Sequence, residues 1–300
     1  MNKQDLHGML PAIVTPFAEN GEIMEDAFCQ IVENLIDIGS TGICVAGDNG
    51  ESWAVSASER GRLVRLAVDK SAGRVPVICG CSAPTIDAAL GYARAAQENG
   101  AVGLLSMPPT YVLKGSRAEI VGRYAKIAAA VDLPMVAYNS PRRHGYSLSM
   151  DDIAAICDAA PVIGIKESNR DFFHHTHLLD RFADKMSVMT GPCHYILPSY
   201  MLGARGFIAT GPEFLGKDAA RLGEIGQAGA SAEAREMHYK LTVLYELLMG
   251  IGTWPAAFKA ALNLIGWPAG IPRDPVLPAS EADLDRIRAC FDDLGIARVA

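Results

Sequence analysis

Eight short β-branched runs, each followed by a stretch with helical spacing, constrain this chain more than any other feature. They are AIVTPF around Ile13, GICVAG around Val45, VPVICG around Val77 and VGLLSM around Leu104. LPMVAYN around Val136, PVIGIKE around Ile165, MSVMTG around Val188 and GFIATG around Ile208 complete the series. Strands separated by helices pair in parallel, because each helix carries the chain back to the start of the next strand. Eight such units predict an α/β fold, a closed (β/α)8 TIM barrel. A doubly wound open sheet would use the same alternation, but no G-x-G-x-x-G follows the first run.

Helix starts agree with this spacing. Ser56-x-x-Glu59 and Ser116-x-x-Glu119 are capping-box patterns, and Ser149 and Ser168 each have Asp three residues on. After Ser116, Ile120, Tyr124, Ile127 and Val131 fall on one helical face. From Ser231 the pattern is helical only, with a Pro-rich break from Trp267 to Pro278 and a last helix carrying Leu284, Ile287, Phe291 and Leu294. The expected organisation is therefore a catalytic barrel over 1–230 and a helical extension over 231–300, packed on the barrel.

Composition excludes several classes of function. Of 300 residues, 50% are hydrophobic, enough for a large core. The net charge of −7 comes with no basic face for a phosphate backbone, so no nucleic-acid partner is expected. Apolar stretches break well before the roughly 18–20 residues of a membrane span, so no membrane partner is expected either. The opening MNKQDLHGML shows no signal-peptide pattern. Seven scattered cysteines suit reduced thiols in the cytoplasm better than a disulfide framework or a zinc site.

In a parallel barrel the strand C-termini gather at one face, and the active site lies there. Lys166 closes a strand after Val162, Ile163, Gly164 and Ile165. An amine held in such surroundings is poorly solvated, which favours its neutral, nucleophilic form. A structural ion pair with Glu167 is the alternative. Tyr138 closes the preceding strand and would shuttle protons beside a carbinolamine; a hydroxyl tied to backbone is its alternative. Arg143 offers a planar fork for a substrate carboxylate, whereas Arg142 reads as a solvated loop residue. Gly47 and Gly50 bracket Asp48-Asn49 in a turn where backbone N–H groups could approach an anion.

These stretches together resemble the dihydrodipicolinate synthase/N-acetylneuraminate lyase family over nearly the whole chain. The motifs are G-x-x-G-E at Gly47 to Glu51, Y-N-x-P at Tyr138 to Pro141 and G-I-K-E at Gly164 to Glu167. The resemblance implies a lyase in which Lys166 forms an imine with pyruvate or another 2-oxo acid, without metal or organic cofactor. It makes Tyr138 the proton shuttle, has Gly191 line the pocket, and gives Ile208 a role through its carbonyl. Tyr111 matches a tyrosine inserted into a neighbouring subunit's site, and Arg143 an arginine that holds the aldehyde's carboxylate. A homotetramer built as a dimer of dimers is implied. Asp48 and Asn49 stand where the synthases have two threonines, one relaying protons and one binding the 2-oxo acid carboxylate. Asn49 still offers a donor, but an ionised Asp48 only accepts. Efficient 4-hydroxy-tetrahydrodipicolinate synthase activity is therefore not expected.

Other readings compete. A 2-keto-3-deoxy sugar-acid aldolase or dehydratase would use the same lysine and let Asp48 and His144 meet hydroxyls. Gly191 and Gly211 could bind phosphate, with Arg205 and Lys217 nearby in sequence. His174, His175 and His177 suggest a metal, and Cys193-His194 a thiol nucleophile. A catalytically inactive barrel that only binds a small molecule belongs to another class, which retention of both Tyr138 and Lys166 argues against.

Overall fold

The computed structural model describes residues 1–111 and 114–299. Among them, eight strands form one sheet: β1 (Gly8–Met9), β2 (Ile43–Val45), β3 (Val77–Gly80), β4 (Gly103–Ser106), β5 (Met135–Asn139), β6 (Val162–Glu167), β7 (Ser187–Thr190) and β8 (Gly206–Phe207). The order is β1-β8-β7-β6-β5-β4-β3-β2, and all pairings are parallel. A parallel Ala12–Cys44 bridge and the Thr41 N–H bond to Met9 join β2 to the β1 segment and close the barrel. This is the (β/α)8 TIM barrel expected from the alternation.

The first strand differs from expectation. Its ladder with β8 covers Gly8 and Met9, ahead of AIVTPF. The Leu10 N–H still bonds the Phe207 carbonyl, but Pro11 after it has no N–H to extend that ladder. AIVTPF instead runs as buried irregular chain that ends where Phe17 bridges Ile23 and Ile271.

The barrel helices are α1 (Glu25–Asp37), α2 (Ala57–Ser71), α3 (Ile86–Glu98), α4 (Arg117–Ala130), α5 (Pro141–His144) and α6 (Met150–Ala159). After them come α7 (Phe172–Phe182), α8 (Ile196–Met201) and α9 (Asp218–Ala228). Capping boxes form at Ser56–Glu59, Ser116–Glu119 and Ser149–Asp152. Ser168 caps nothing; α7 begins later, and the Asp171 carboxylate takes the N–H groups of Phe173 and His174. Residues 168–170 are needed instead to carry the chain out of β6. On α4, Ile120, Tyr124 and Ile127 are buried, and the Tyr124 hydroxyl donates to the Ser106 carbonyl at 2.8 Å.

Inward-facing side chains, among them Leu6, Ile78, Leu105, Val136 and Met189, fill the barrel's interior, so it is not a pore. An outer core between strands and helices runs from Met9 to Phe291 without a break. The C-terminal helices α10 (Ala232–Gly250), α11 (Ala256–Leu264) and α12 (Glu281–Leu294) share that outer core. Phe214 from the barrel meets Phe258 of α11 and Phe291 of α12, with ring centroids 5.9 and 5.3 Å apart.

A buried ion pair also ties extension to barrel. Lys259 Nζ lies 2.5 Å from the Glu51 carboxylate, both side chains fully buried. The Arg273 N–H donates to the other Glu51 oxygen at 2.8 Å. Burial raises the Glu51 carboxyl above its usual range, with Lys259 opposing. Burial lowers Lys259 to about 8, with Glu51 opposing.

Candidate active site

Alternation along β5 and β6 sorts the key residues onto two faces. The register pairs Tyr138 with Lys166 and Asn139 with Glu167. Tyr138 and Lys166 turn into the barrel mouth, where the Lys166 ammonium lies 4.4 Å from the Tyr138 ring centroid. Asn139 and Glu167 turn outward: the Asn139 amide donates to both Glu167 oxygens at 3.0 Å. The Asn169 N–H adds a bond of 2.6 Å, and burial raises Glu167 to about 8. Lys166 therefore does not pair with its neighbour Glu167, and among the described residues it makes no ion pair.

A register shift between Met135 and Val136 produces this arrangement. Met135 faces Val162 but Val136 faces Gly164, so Ile163 is skipped. Without the skipped residue, continuing the Met135–Val162 register would set Tyr138 opposite Ile165. Gly164 must lack a side chain here, since a Cβ would fall 2.4 Å from a Leu6 methyl and 2.6 Å from the Ser187 carbonyl.

Around Lys166 opens a cleft of about 490 Å3, counting its open mouth. Of the residues singled out in the sequence, Asp48, Asn49, Tyr138, Arg143, Lys166, Gly191 and Ile208 line it. Gly47 lines an adjoining cavity that shares Asp48, Tyr138 and Arg143. Tyr111 reaches neither; it is 95% exposed, with φ of 71°. At Gly191 a Cβ would meet Ser168 Oγ at 1.9 Å, so only glycine keeps β7 beside the end of β6.

The turn after β2 is built differently from its sequence signature. Left-handed backbone falls on Ala46 (φ 49°) and Glu51 (φ 53°), not on Gly47 or Gly50. Gly50 serves close approach, because a Cβ there would lie 2.8 Å from the Ile13 carbonyl. Asn49 spends both amide hydrogens on the Ala12 carbonyl (2.9 Å) and Thr210 Oγ1 (2.7 Å), so its side chain is a brace across the barrel mouth. Among the described residues, the backbone N–H groups of Asp48 and Asn49 have no backbone acceptor.

Asp48 and Arg143 meet across the cleft. The Asp48 carboxylate accepts from Arg143 Nε and from a terminal nitrogen at 3.0 and 2.9 Å. Burial lowers the Arg143 guanidinium, but Asp48 more than offsets this and holds it above its usual value. The carboxylate that would repel an anionic substrate is thus neutralised, and the fork that would hold such a substrate is already engaged.

Several alternatives find no geometry. His144 is buried, and its Nε2 accepts the Ser140 N–H at 2.8 Å. It is absent from the cleft lining, and burial lowers it to about 4. His174 bonds the Leu148 carbonyl and His175 bonds Ser199. No three His, Cys, Asp or Glu side chains among the described residues could hold a metal together. Cys193 is buried, bonded to the Leu241 carbonyl, and raised well above the usual thiol value by burial. It has no nucleophilic character there.

Sequence reasoning missed Ser140, Ser168, Arg170 and Thr210, and from the extension Tyr245, Met249 and Trp254, all of which line the cleft. Arg142, read as a loop residue, lines it too. Position just after a strand's end could have flagged Ser168 and Arg170; nothing local marks the α10 residues.

The sequence profile of the dihydrodipicolinate synthetase family matches residues 5–293. The chain belongs to this family. An uncharacterized DapA-like lyase of Rhizobium meliloti is 34% identical over 95% of each chain. A 4-hydroxy-tetrahydrodipicolinate synthase of Desulfotalea psychrophila is 31% identical over 98% of each. The structure of a chloride-inhibited dihydrodipicolinate synthase from Acinetobacter baumannii, complexed with pyruvate, superposes with a TM-score of 0.91. That protein is 27% identical, and the match covers 97% of this chain and all (100%) of that one. As a member of the dihydrodipicolinate synthetase family, the protein is a lyase-class enzyme.

Proposed function

We propose that this enzyme holds pyruvate or another 2-oxo acid as an imine on Lys166. It then forms or breaks a carbon–carbon bond, or eliminates water, beside that imine. The observation that carries this reading is the in-register Tyr138–Lys166 pair at the floor of the cleft. The neutral amine attacks the 2-oxo carbon; the carbinolamine then loses water, with the Tyr138 phenol supplying the proton. The imine withdraws electrons, so C3 can lose a proton to give an enamine, or a C3–C4 bond can break toward it. The free N–H groups of Asp48 and Asn49 suit the substrate carboxylate. Ile208 lines the same cleft. The pyruvate named with the Acinetobacter baumannii structure supports this substrate class.

Efficient use of aspartate semialdehyde is not part of the proposal. To be held by Arg143, as the family resemblance implies, its carboxylate would have to displace Asp48. The ion pair offers a substrate hydroxyl both an acceptor and a donor, which favours a 2-keto-3-deoxy sugar acid as the second reading. An inactive barrel would have no use for the Tyr138–Lys166 pair.

Tyr111 is proposed to act in the site of a second subunit, within a homotetramer. Its 95% exposure and strained φ, with half-exposed Trp53 lining the same cavity as the neighbouring Thr110, support a surface meant to be covered. No described helix is long and apolar enough to cross a membrane. A cytoplasmic location is proposed from the free cysteines.

Borohydride added with pyruvate should fix a reduced pyruvyl group on Lys166, read by peptide mass spectrometry. Labelling of another lysine, with Lys166 unmodified, would sink the imine assignment.

A further inference from the structure

The cleft lining carries four cationic side chains, Arg142, Arg143, Lys166 and Arg170, against one carboxylate, Asp48. This is a local surplus of three positive charges on a chain whose net charge is −7. Two of the four are accounted for. Arg143 is matched by Asp48. Lys166, once an iminium, is matched by the carboxylate of the 2-oxo acid it holds. Arg142 and Arg170 remain, and among the described residues neither makes an ion pair.

Both line the same cleft. Arg142 sits in the short helix α5, and Arg170 in the loop leaving β6. The Arg170 backbone is fixed by the Tyr195 hydroxyl, which donates to its carbonyl at 2.6 Å. Its guanidinium lies over the Tyr245 ring, 5.7 Å from the centroid. Arg142 and Tyr245 line the same cleft, and burial raises the Tyr245 phenol while the charges of Arg170 and Arg142 pull against that rise. Glu246 borders an adjoining cavity with Arg170 but does not line the Lys166 cleft.

We propose that Arg142 and Arg170, backed by Tyr245, form a subsite for an acidic group at the distal end of the substrate. The preferred substrate is then a 2-oxo acid with a second anionic group, rather than a neutral-tailed one. A planar fork matches a carboxylate or a phosphate oxygen pair, and no cation elsewhere in the cleft is free to take that group. This rests on Lys166 holding the other end of the molecule, but the subsite can be tested without the imine.

The probes are 2-hydroxy acids, which cannot form an imine. 2-Hydroxyglutarate ends in a carboxylate, 3-phosphoglycerate in a phosphate, and 2-hydroxypentanoate in a methyl group. Calorimetry on the full-length protein should show one or both acidic probes binding at least tenfold tighter than 2-hydroxypentanoate. The better of the two identifies the group. Arg142→Gln/Arg170→Gln should reduce that preference to below threefold with an unchanged melting temperature, and Lys166→Gln should keep it. A preference under tenfold in the wild type, or one that the double variant retains, overturns the subsite. Failure of borohydride to trap pyruvate, alongside a retained preference, would instead remove the imine and leave the subsite standing.

Discussion

Lys166 and Glu167 are adjacent in the chain yet live in different media. One faces the open cleft; the other is sealed behind the sheet by Asn139 and the Asn169 N–H. The Glu167 carboxyl titrates near 4.5 when unfolded and at about 8 in the fold, because burial disfavours its charge. Its folded value is raised, so its contribution is complete below 4.5 and is lost as pH rises through 8. Glu167→Gln, a neutral isostere, should therefore gain on the wild type in melting temperature between about pH 5 and about pH 8. A pH-independent difference would show that Glu167 is already ionised. Asp48 is the second residue whose surroundings decide its role. A bare carboxylate about 4 Å from a substrate carboxylate would cost on the order of 4 kcal/mol at an effective dielectric near 20. Pairing with Arg143 removes that repulsion but occupies the fork. Freeing a charge-assisted, partly exposed fork is worth about 1–2 kcal/mol, or roughly tenfold. Asp48→Thr should accordingly raise kcat/KM for pyruvate plus aspartate semialdehyde by about tenfold and lower turnover of 2-keto-3-deoxy sugar acids. Efficient wild-type synthase activity, unimproved by the threonine, would refute this.

Among the elements, the turn after β2 is held from outside the barrel. Its last residue, Glu51, has left-handed backbone and a fully buried carboxylate answered by Lys259 of α11. Breaking a buried pair from one side leaves an uncompensated charge and costs about 3–5 kcal/mol. Lys259→Met should lose about that much in urea unfolding. Lys259→Met/Glu51→Gln should lose clearly less than the sum of the single changes. Strict additivity would mean that the two do not interact. Since the same turn carries Asp48 and Asn49, the single variant should also raise KM for the 2-oxo acid. The β5–β6 pair shows a comparable dependence on one residue: skipping Ile163 sets Tyr138 beside Lys166.

At the scale of the whole molecule, Tyr111 stands almost fully exposed on a single subunit. If it completes a partner's site, Tyr111→Phe lowers turnover by roughly tenfold or more, as for loss of a proton-relay group. Mixing Tyr111→Phe with Lys166→Ala subunits, each impaired alone, should then restore activity. Random pairing of equal amounts gives about a quarter of the wild-type value, since half the pairs are hybrid and each has one intact site. No recovery after verified subunit exchange would place Tyr111 outside the partner's site.

The βα alternation, three of four proposed caps, and the strand-end lysine and tyrosine were legible in the sequence, because periodicity and capping act over a few residues. Even there, Pro11 moved the first ladder forward, and the loop after β6 took Ser168 from its expected cap. Contacts between distant segments were not legible. Asp48 and Arg143 are 95 positions apart, so neither residue's neighbours reveal that they neutralise each other. Asn49 looks like a substrate donor until Thr210, 161 positions away, takes its hydrogen. Arg142 and Arg170, 28 positions apart in the chain, share one cleft only because the barrel brings the loops after β5 and β6 together, and α10 adds Tyr245 to the same lining. The sequence by itself determined the barrel and the strand ends at which Lys166 and Tyr138 stand, because local hydrogen bonding and side-chain alternation suffice for both. Only the tertiary structure decided which charges remain unmatched in the cleft, since each pairing depends on barrel closure and on where the extension docks.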